Sequence, residues 1–320
     1  MTPVHFLHIY QAETERLFRR MTAIVGLVLS VLFGLAGPGL MLTLNLAAWY
    51  SYQSLAEGQN PDDLIPFEII GSWDYSLSIS YYLRNFMFLP ILIFLLGGLS
   101  MASEFVGRTV REDVLRPVPR WSLVLSKWLA LLTWIIVASL ALACLSAGLG
   151  LLVTWGASAT PTAWEELEGL SGWDWFSAWM SAYWTTIKPS LIQVGVTFAT
   201  DVGFASLALA VAVVTRSVAA TVAGLVMVFM VQLAVAIGFG VLGTDMARQF
   251  GPQIASQWVP NDAWETIYQW IDFFAKWQPP FVLGTCPFSD LTPESFITLS
   301  FITLASLATA LFVFERMDVP

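Results

Sequence analysis

Charge is scarce in this sequence. Only 12% of its 320 residues are Asp, Glu, Lys or Arg, against roughly 25% in soluble domains. With 57% apolar residues and a mean hydropathy of +0.70, the composition is that of an integral membrane protein. Histidine is scarcer still: His5 and His8 are the only two, so a histidine-rich metal site is excluded and no His-based catalytic arrangement exists elsewhere. Both read as surface or interface residues. Cys144 lies within an apolar run and Cys286 in a polar connection, at depths too different to suggest a bridge, so they read as two unrelated thiols. No GxxxxGK[ST] phosphate loop is present, and any nucleotide energy must come from another chain. Neither HExxH nor a nucleophile and base cluster is present, which argues against an enzyme working within the bilayer. Paired interrupted helices and a coupling-ion cluster are missing as well, which argues against a secondary transporter.

What the chain does have is long apolar runs: 21–50, 85–103, 128–155, 218–242 and 295–314, with a sixth, 187–214, interrupted only by Lys188 and Asp201. Each exceeds or closely matches the roughly 20 residues that carry a helix across about 30 Å of hydrocarbon. The runs are continuous rather than alternating, so helices are favoured over a barrel. The first run is no cleavable signal, being long and preceded by a charged lead-in. The expectation is an all-α integral membrane protein of six transmembrane helices, forming a single transmembrane domain over 21–320, with 1–20 as a cytoplasmic or interfacial helix leading into it.

Six crossings put both chain ends and the connections after helices two and four on one side. That side holds Arg16, Arg19, Arg20, Arg108, Arg111, Arg116, Arg120, Lys127, Arg216 and Arg316; the other holds only Arg84, Lys188, Arg248 and Lys276. The basic excess marks the first side as cytoplasmic. The outer connections, 51–84, 156–186 and 243–294, are long and aromatic, with Trp164, Trp173, Trp175, Trp179 and Trp184 in one and Trp258, Trp264, Trp270 and Trp277 in another. Two readings fit: interfacial anchoring, and a portal for a lipid-like or apolar substrate.

The longest charged stretch, SEFVGRTVREDVLRPVPRWSLVLSK at 103–127, lies between two apolar runs. Val106, Val110 and Val114 recur every four residues with Leu115 beside them, and Arg108, Glu112 and Arg116 recur on another side. Pro117 and Pro119 then end the helical pattern. The connection reads as an ordered cytoplasmic helix and elbow, fit either to lie on headgroups or to dock a soluble partner.

Glu104, Gly107, Thr109, Leu115, Pro117, Val118, Pro119, Arg120 and Lys127 resemble the connection between helices two and three in permease subunits of type-2 ATP-binding-cassette exporters. Pro-Val-Pro-Arg stands here where that family often has Pro-Val-Ser-Arg. The near-absent link around 215–217 and the closing Phe314, Arg316 and Asp318 are similar to the family as well. The resemblance implies two permease subunits, identical or different, served by two ATPase subunits that carry ATP and Mg. No cofactor would bind this chain directly, and nucleic acid is no partner. It implies the cytoplasmic membrane of a prokaryote, and makes 104–120 a coupling surface with Glu104, Arg108, Val110, Arg111, Glu112, Val114, Leu115, Arg116 and Arg120 as partner-binding candidates. The lead-in, with Phe6, Ile9, Leu17 and Met21 among Glu13, Glu15, Arg16, Arg19 and Arg20, is implied to be a connecting helix bordering the ATPase.

Within the spans, Asp201 is the sole acidic residue of a span interior. It must face the bundle, a water-filled path or a polar partner, or be protonated, which leaves open a translocation-path role and a bond to Thr197, Thr200 or a neighbour. Gly34, Gly37, Pro38 and Gly39 in helix one and Gly97 and Gly98 in helix two permit close packing or a bend. The leading function is the membrane subunit of an ATP-driven exporter; the alternative is a non-catalytic assembly or mechanical signalling subunit of an ATPase-linked complex. Interfacial anchoring has a direct check. In a Cys144→Ser, Cys286→Ser background, cysteines placed singly at Trp175 and Trp264 should react slowly with a water-soluble maleimide; full labelling at both sites sinks that reading.

Overall fold

A computed structural model of the chain describes residues 3–53, 80, 84, 89–106, 119–156, 170–224, 226–227, 230, 266, 268–270, 273 and 293–317. Its elements are helices: α1 (Pro3–Phe18), α2 (Met21–Gln53), α3 (Leu89–Val106), α4 (Arg120–Gly156), α5 (Trp173–Thr215) and α6 (Pro293–Arg316). Four stretches are long and apolar enough to cross a membrane: Met21–Leu44, Arg120–Leu149, Val194–Thr215 and Pro293–Arg316. Where the second span was expected stands α3, whose apolar part, Ile91–Phe105, falls short of that length. The expected fifth begins as a helical segment at 218–224, and most of its remainder lies outside the described residues. The 107–118 part of the charged connection also lies outside them.

Helix α5 starts at Trp173, inside the stretch expected to be an outer connection. The helix continues without a break through Pro189 to Thr215, so the Trp-rich segment winds directly into the span instead of forming a separate interfacial helix. Gly172, at φ 64°, precedes it, in the left-handed region that glycine adopts without steric cost.

The chain divides into two compact units. One comprises Met1–Ala23, Pro90–Ile135 and Ala199–Pro320, the other Ile24–Leu89 and Ile136–Phe198. In the first, Met101, Leu123, Val124, Leu209, Val213, Phe314 and Met317 form a buried cluster against which Ile9, Phe105 and Trp128 pack. Phe94 meets Phe204 edge-on at 5.0 Å, and Phe105 meets Phe314 at 6.4 Å. These contacts gather α1, α3, α4, α5 and α6 around one core. Polar side chains join them where lipid offers no donors or acceptors: Trp128 Nε1 donates to Ser206 Oγ at 2.8 Å and Trp134 Nε1 to the Ala23 carbonyl at 3.2 Å.

Close approach of α3 to α5 depends on Gly97. A Cβ there would lie 2.9 Å from Ala208 Cβ and 3.1 Å from the Ala205 carbonyl oxygen. In the second unit Gly34 is pressed against Leu142, whose carbonyl oxygen would stand 3.1 Å from an added Cβ. Pro38 sits within α2, and just before it the Gly37 N–H donates to buried Ser80 Oγ at 3.2 Å. Ser146 Oγ donates to that same hydroxyl at 3.0 Å. A proline inside a membrane helix is tolerable where neighbours hydrogen-bond its disturbed backbone in this way.

The expected minimal link after the 187–214 run is present, between α5 and the helical segment from 218. Arg216, at φ 54°, turns the chain, its N–H bonded to the Ala212 carbonyl at 2.9 Å, the αL ending common to helices. Ser217 then opens the next helical segment, its carbonyl accepting from Thr221 N at 2.9 Å. The Gly97 contact yields a stability test. Gly97→Ala should lower the unfolding midpoint of the detergent-solubilised protein, at a cost of about 1–3 kcal/mol for overpacking, while Gly39→Ala, with nothing within 4 Å of its added Cβ, should not.

Candidate functional site

Helix α1 has two unlike faces. Ile9 packs on the core and Leu17 is buried, and between them, four residues from each, stands Glu13. On a helix those positions share a side, so a carboxylate is carried into the apolar interface, where its exposure falls to 8%. Burying a carboxylate alone is costly, and it requires a partner.

The partner comes from α4. That helix opens at Arg120 after Pro119, and two turns later it presents Lys127, 4% exposed. Lys127 Nζ donates to Glu13 Oε2 at 2.7 Å and to Glu104 Oε1 at 2.6 Å. Glu104 belongs to the last turn of α3. Glu13 also accepts from Arg16 Nη1 at 3.3 Å, so among the described residues two carboxylates face two cations. Nearby, Arg20 donates through Nη1 and Nη2 to the Leu99 and Ser100 carbonyls at 3.0 and 3.5 Å. A small cavity beside the group is lined by Glu13, Arg16, Leu17, Arg20, Ser100, Lys127, Ala130 and Leu131. Two contacts continue the α1–α4 seam: Tyr10 Oη to Thr133 Oγ1 at 2.6 Å, and Phe6 stacked on Trp121 with centroids 6.4 Å apart.

One cation thus holds together the lead-in helix, the residue where the chain leaves α3, and the first turns of the helix it enters next. Both ends of the 104–127 connection are therefore anchored. Its far end carries a second anchor: Arg120 Nη1 donates to the Met317 carbonyl at 2.6 Å and the Glu315 carbonyl at 3.3 Å. These belong to the end of α6, where terminal carbonyls lack intrahelical donors and a cation is favoured by about 0.3–1 kcal/mol.

Of the residues picked out in the sequence, Glu104 and Arg120 are placed, one at each end of the connection. Arg108, Val110, Arg111, Glu112, Val114, Leu115 and Arg116 lie outside the described residues. Asp201 is 1% exposed on α5, and Thr200 beside it is buried too. Glu13 was not singled out, although its place between Ile9 and Leu17 on one helix face was readable. Lys127 was noted as part of the motif but not as a site residue. Arg84, assigned by sequence to an outer connection, is fully buried. Among the described residues no group of His, Cys, Asp and Glu is arranged to hold a metal ion.

The family model described as ABC-2 family transporter protein matches residues 20–319. The chain belongs to the ABC-2 transporter family. It is an integral membrane protein and the non-catalytic membrane component of its transporter. No curated protein and no solved structure matches it. The ABC-2 match begins after α1, so Glu104 and Lys127 fall inside the family's region while Glu13 comes from a helix ahead of it.

The charge arithmetic of the group predicts an asymmetry. Removing one partner of a buried ion pair costs about 3–5 kcal/mol, whereas replacing the whole set by neutral groups is often tolerated. Lys127→Met leaves two carboxylates facing each other and should lower thermal stability in nanodiscs most. Glu104→Gln leaves Glu13 bonded to both Lys127 and Arg16 and should cost less, and adding Glu13→Gln and Glu104→Gln to Lys127→Met should recover part of the loss.

Proposed function

We propose that the chain is the transmembrane subunit of an ATP-driven exporter, coupled to a separate ATPase through 104–120. The observation that carries this reading is the buried Glu13–Lys127–Glu104 group. A surface loop that merely joins two spans needs no such fixing, since loops tolerate variation and motion. Here the connection starts and ends on helices locked to each other and to α1. A push on the connection is then delivered to three helices together, which is what a coupling element has to do.

In this reading the polar residues Arg108, Arg111, Glu112 and Arg116 meet the ATPase, while Val110, Val114 and Leu115 supply the apolar part of the contact. Glu104 and Arg120 bound the element. Six spans place both chain ends in the cytoplasm of a prokaryotic cell, and a second permease subunit, identical or related, completes the translocation unit. ATP and Mg reside on the two ATPase subunits. Asp201, the buried acid of α5, lines the translocation path, a role in keeping with the functional bias of ionisable groups within membranes.

The docking face can be tested apart from folding. Val110→Asp together with Val114→Asp should abolish copurification of the ATPase subunit that accompanies the tagged wild-type chain from its native membranes. Membrane insertion should remain normal. Undiminished copurification removes 104–120 as the coupling surface.

A further inference from the structure

Arg120 stands in the connection's motif as a partner-binding candidate, and its geometry assigns it a different task. Both hydrogens of Nη1 have acceptors within the chain itself, the Glu315 and Met317 carbonyls at 3.3 and 2.6 Å. We propose that Arg120 is a positioning residue tying the far end of the connection to the C-terminal end of α6, so that displacement of the connection moves the last span along with α3 and α4. This rests on the reading of 104–120 as the coupling surface.

Three observations support the tie. First, the backbone on the Arg120 side is stiff: Pro119 fixes its own φ, and its carbonyl accepts from both Ser122 N at 3.0 Å and Ser122 Oγ at 2.6 Å. A guanidinium mounted on a rigid turn transmits displacement instead of absorbing it. Second, the α6 end is equally well held. Met317 N donates to the Phe314 carbonyl at 3.4 Å, and Phe314 and Met317 are buried at 1% and 3% exposure. Third, the near end of the connection reaches the same place, since Phe105, next to Glu104, meets Phe314 edge-on at 6.4 Å. The connection therefore touches α6 at both ends, through an aromatic contact at one and a forked hydrogen bond at the other.

Hydrogen exchange read by mass spectrometry tests this on the chain with its copurified ATPase in nanodiscs, with and without a nonhydrolysable ATP analogue. In the wild type the analogue should change exchange both at 107–118 and at 310–317. Arg120→Ala should keep the ATPase and the response at 107–118 but lose the response at 310–317, where exchange becomes about two- to fivefold faster, the range a cation at a helix C-terminus supports. Arg120→Lys should restore that response in part. A cap with a purely structural role would speed exchange at 310–317 yet leave the analogue-dependent difference intact, and that outcome overturns the proposal. So does a wild-type α6 end that ignores the analogue, or an Arg120→Ala chain that loses the ATPase while 310–317 stays protected, which would make Arg120 a docking residue. Should Arg120→Ala fail to accumulate, Arg120→Gln and Arg120→Lys carry the same comparison. A wild-type chain that brings down no ATPase defeats the coupling reading by itself; the tie is then judged on the chain alone, where unchanged exchange at 310–317 in Arg120→Ala overturns it.

Discussion

A single ammonium group, Lys127 Nζ, lies within 2.7 Å of two buried carboxylates from two other helices. In a medium of low dielectric such an arrangement tolerates little slack, because each charge is stable only in the presence of the others. α1, α3 and α4 must therefore meet at one place whenever the chain is folded. Glu13 is drawn into an apolar face, Glu104 is held as the chain leaves α3, and the first turns of α4 are held beside both. Both ends of the charged connection are placed by this constraint.

Apolar burial alone cannot impose such a geometry in a membrane. Lipid tails are as apolar as leucine, so the helices gain little from merely turning greasy faces to one another. Association depends on close packing and polar bonds, and the structure supplies both. Gly97 lets α3 approach the backbone of α5, while Trp128 and Trp134 use their indole N–H groups to reach Ser206 and the Ala23 carbonyl. These contacts hold α3 and α4, the helices that carry Glu104 and Lys127, against their neighbours.

Mechanically, the connection is suspended between fixed points. Phe105 and Glu104 hold its near end and Arg120 and Lys127 its far end, each against another helix. In the coupling reading proposed above, a segment held this way passes a displacement into the membrane, whereas a tethered loop would dissipate it. The sequence resemblance pointed to the same segment from its Gly, Thr, Leu, Pro and Arg positions, without reference to any of these bonds.

Much of this was legible in the residues themselves. Continuous apolar runs placed α2, α3, α4, α5 and α6, because backbone groups in lipid must bond within the segment and only a helix does so. The abrupt turn at Arg216 was visible as a near-absence of polar chain. The Glu104–Lys127 motif was visible as a pattern, but not as a contact, since sequence spacing across 107–118 carries no information on where the chain returns. Glu13 was hidden for a related reason: on a charged lead-in helix, a carboxylate beside arginines looks solvated until the opposite face is found buried. Helix type and membrane character thus belong to the sequence, being set by local hydrogen bonding and hydropathy. The burial of Glu13 and Arg84, the capping of α6 by Arg120 and the shared cation at Lys127 were decided by tertiary structure alone, because a charge finds its partner only where distant helices converge.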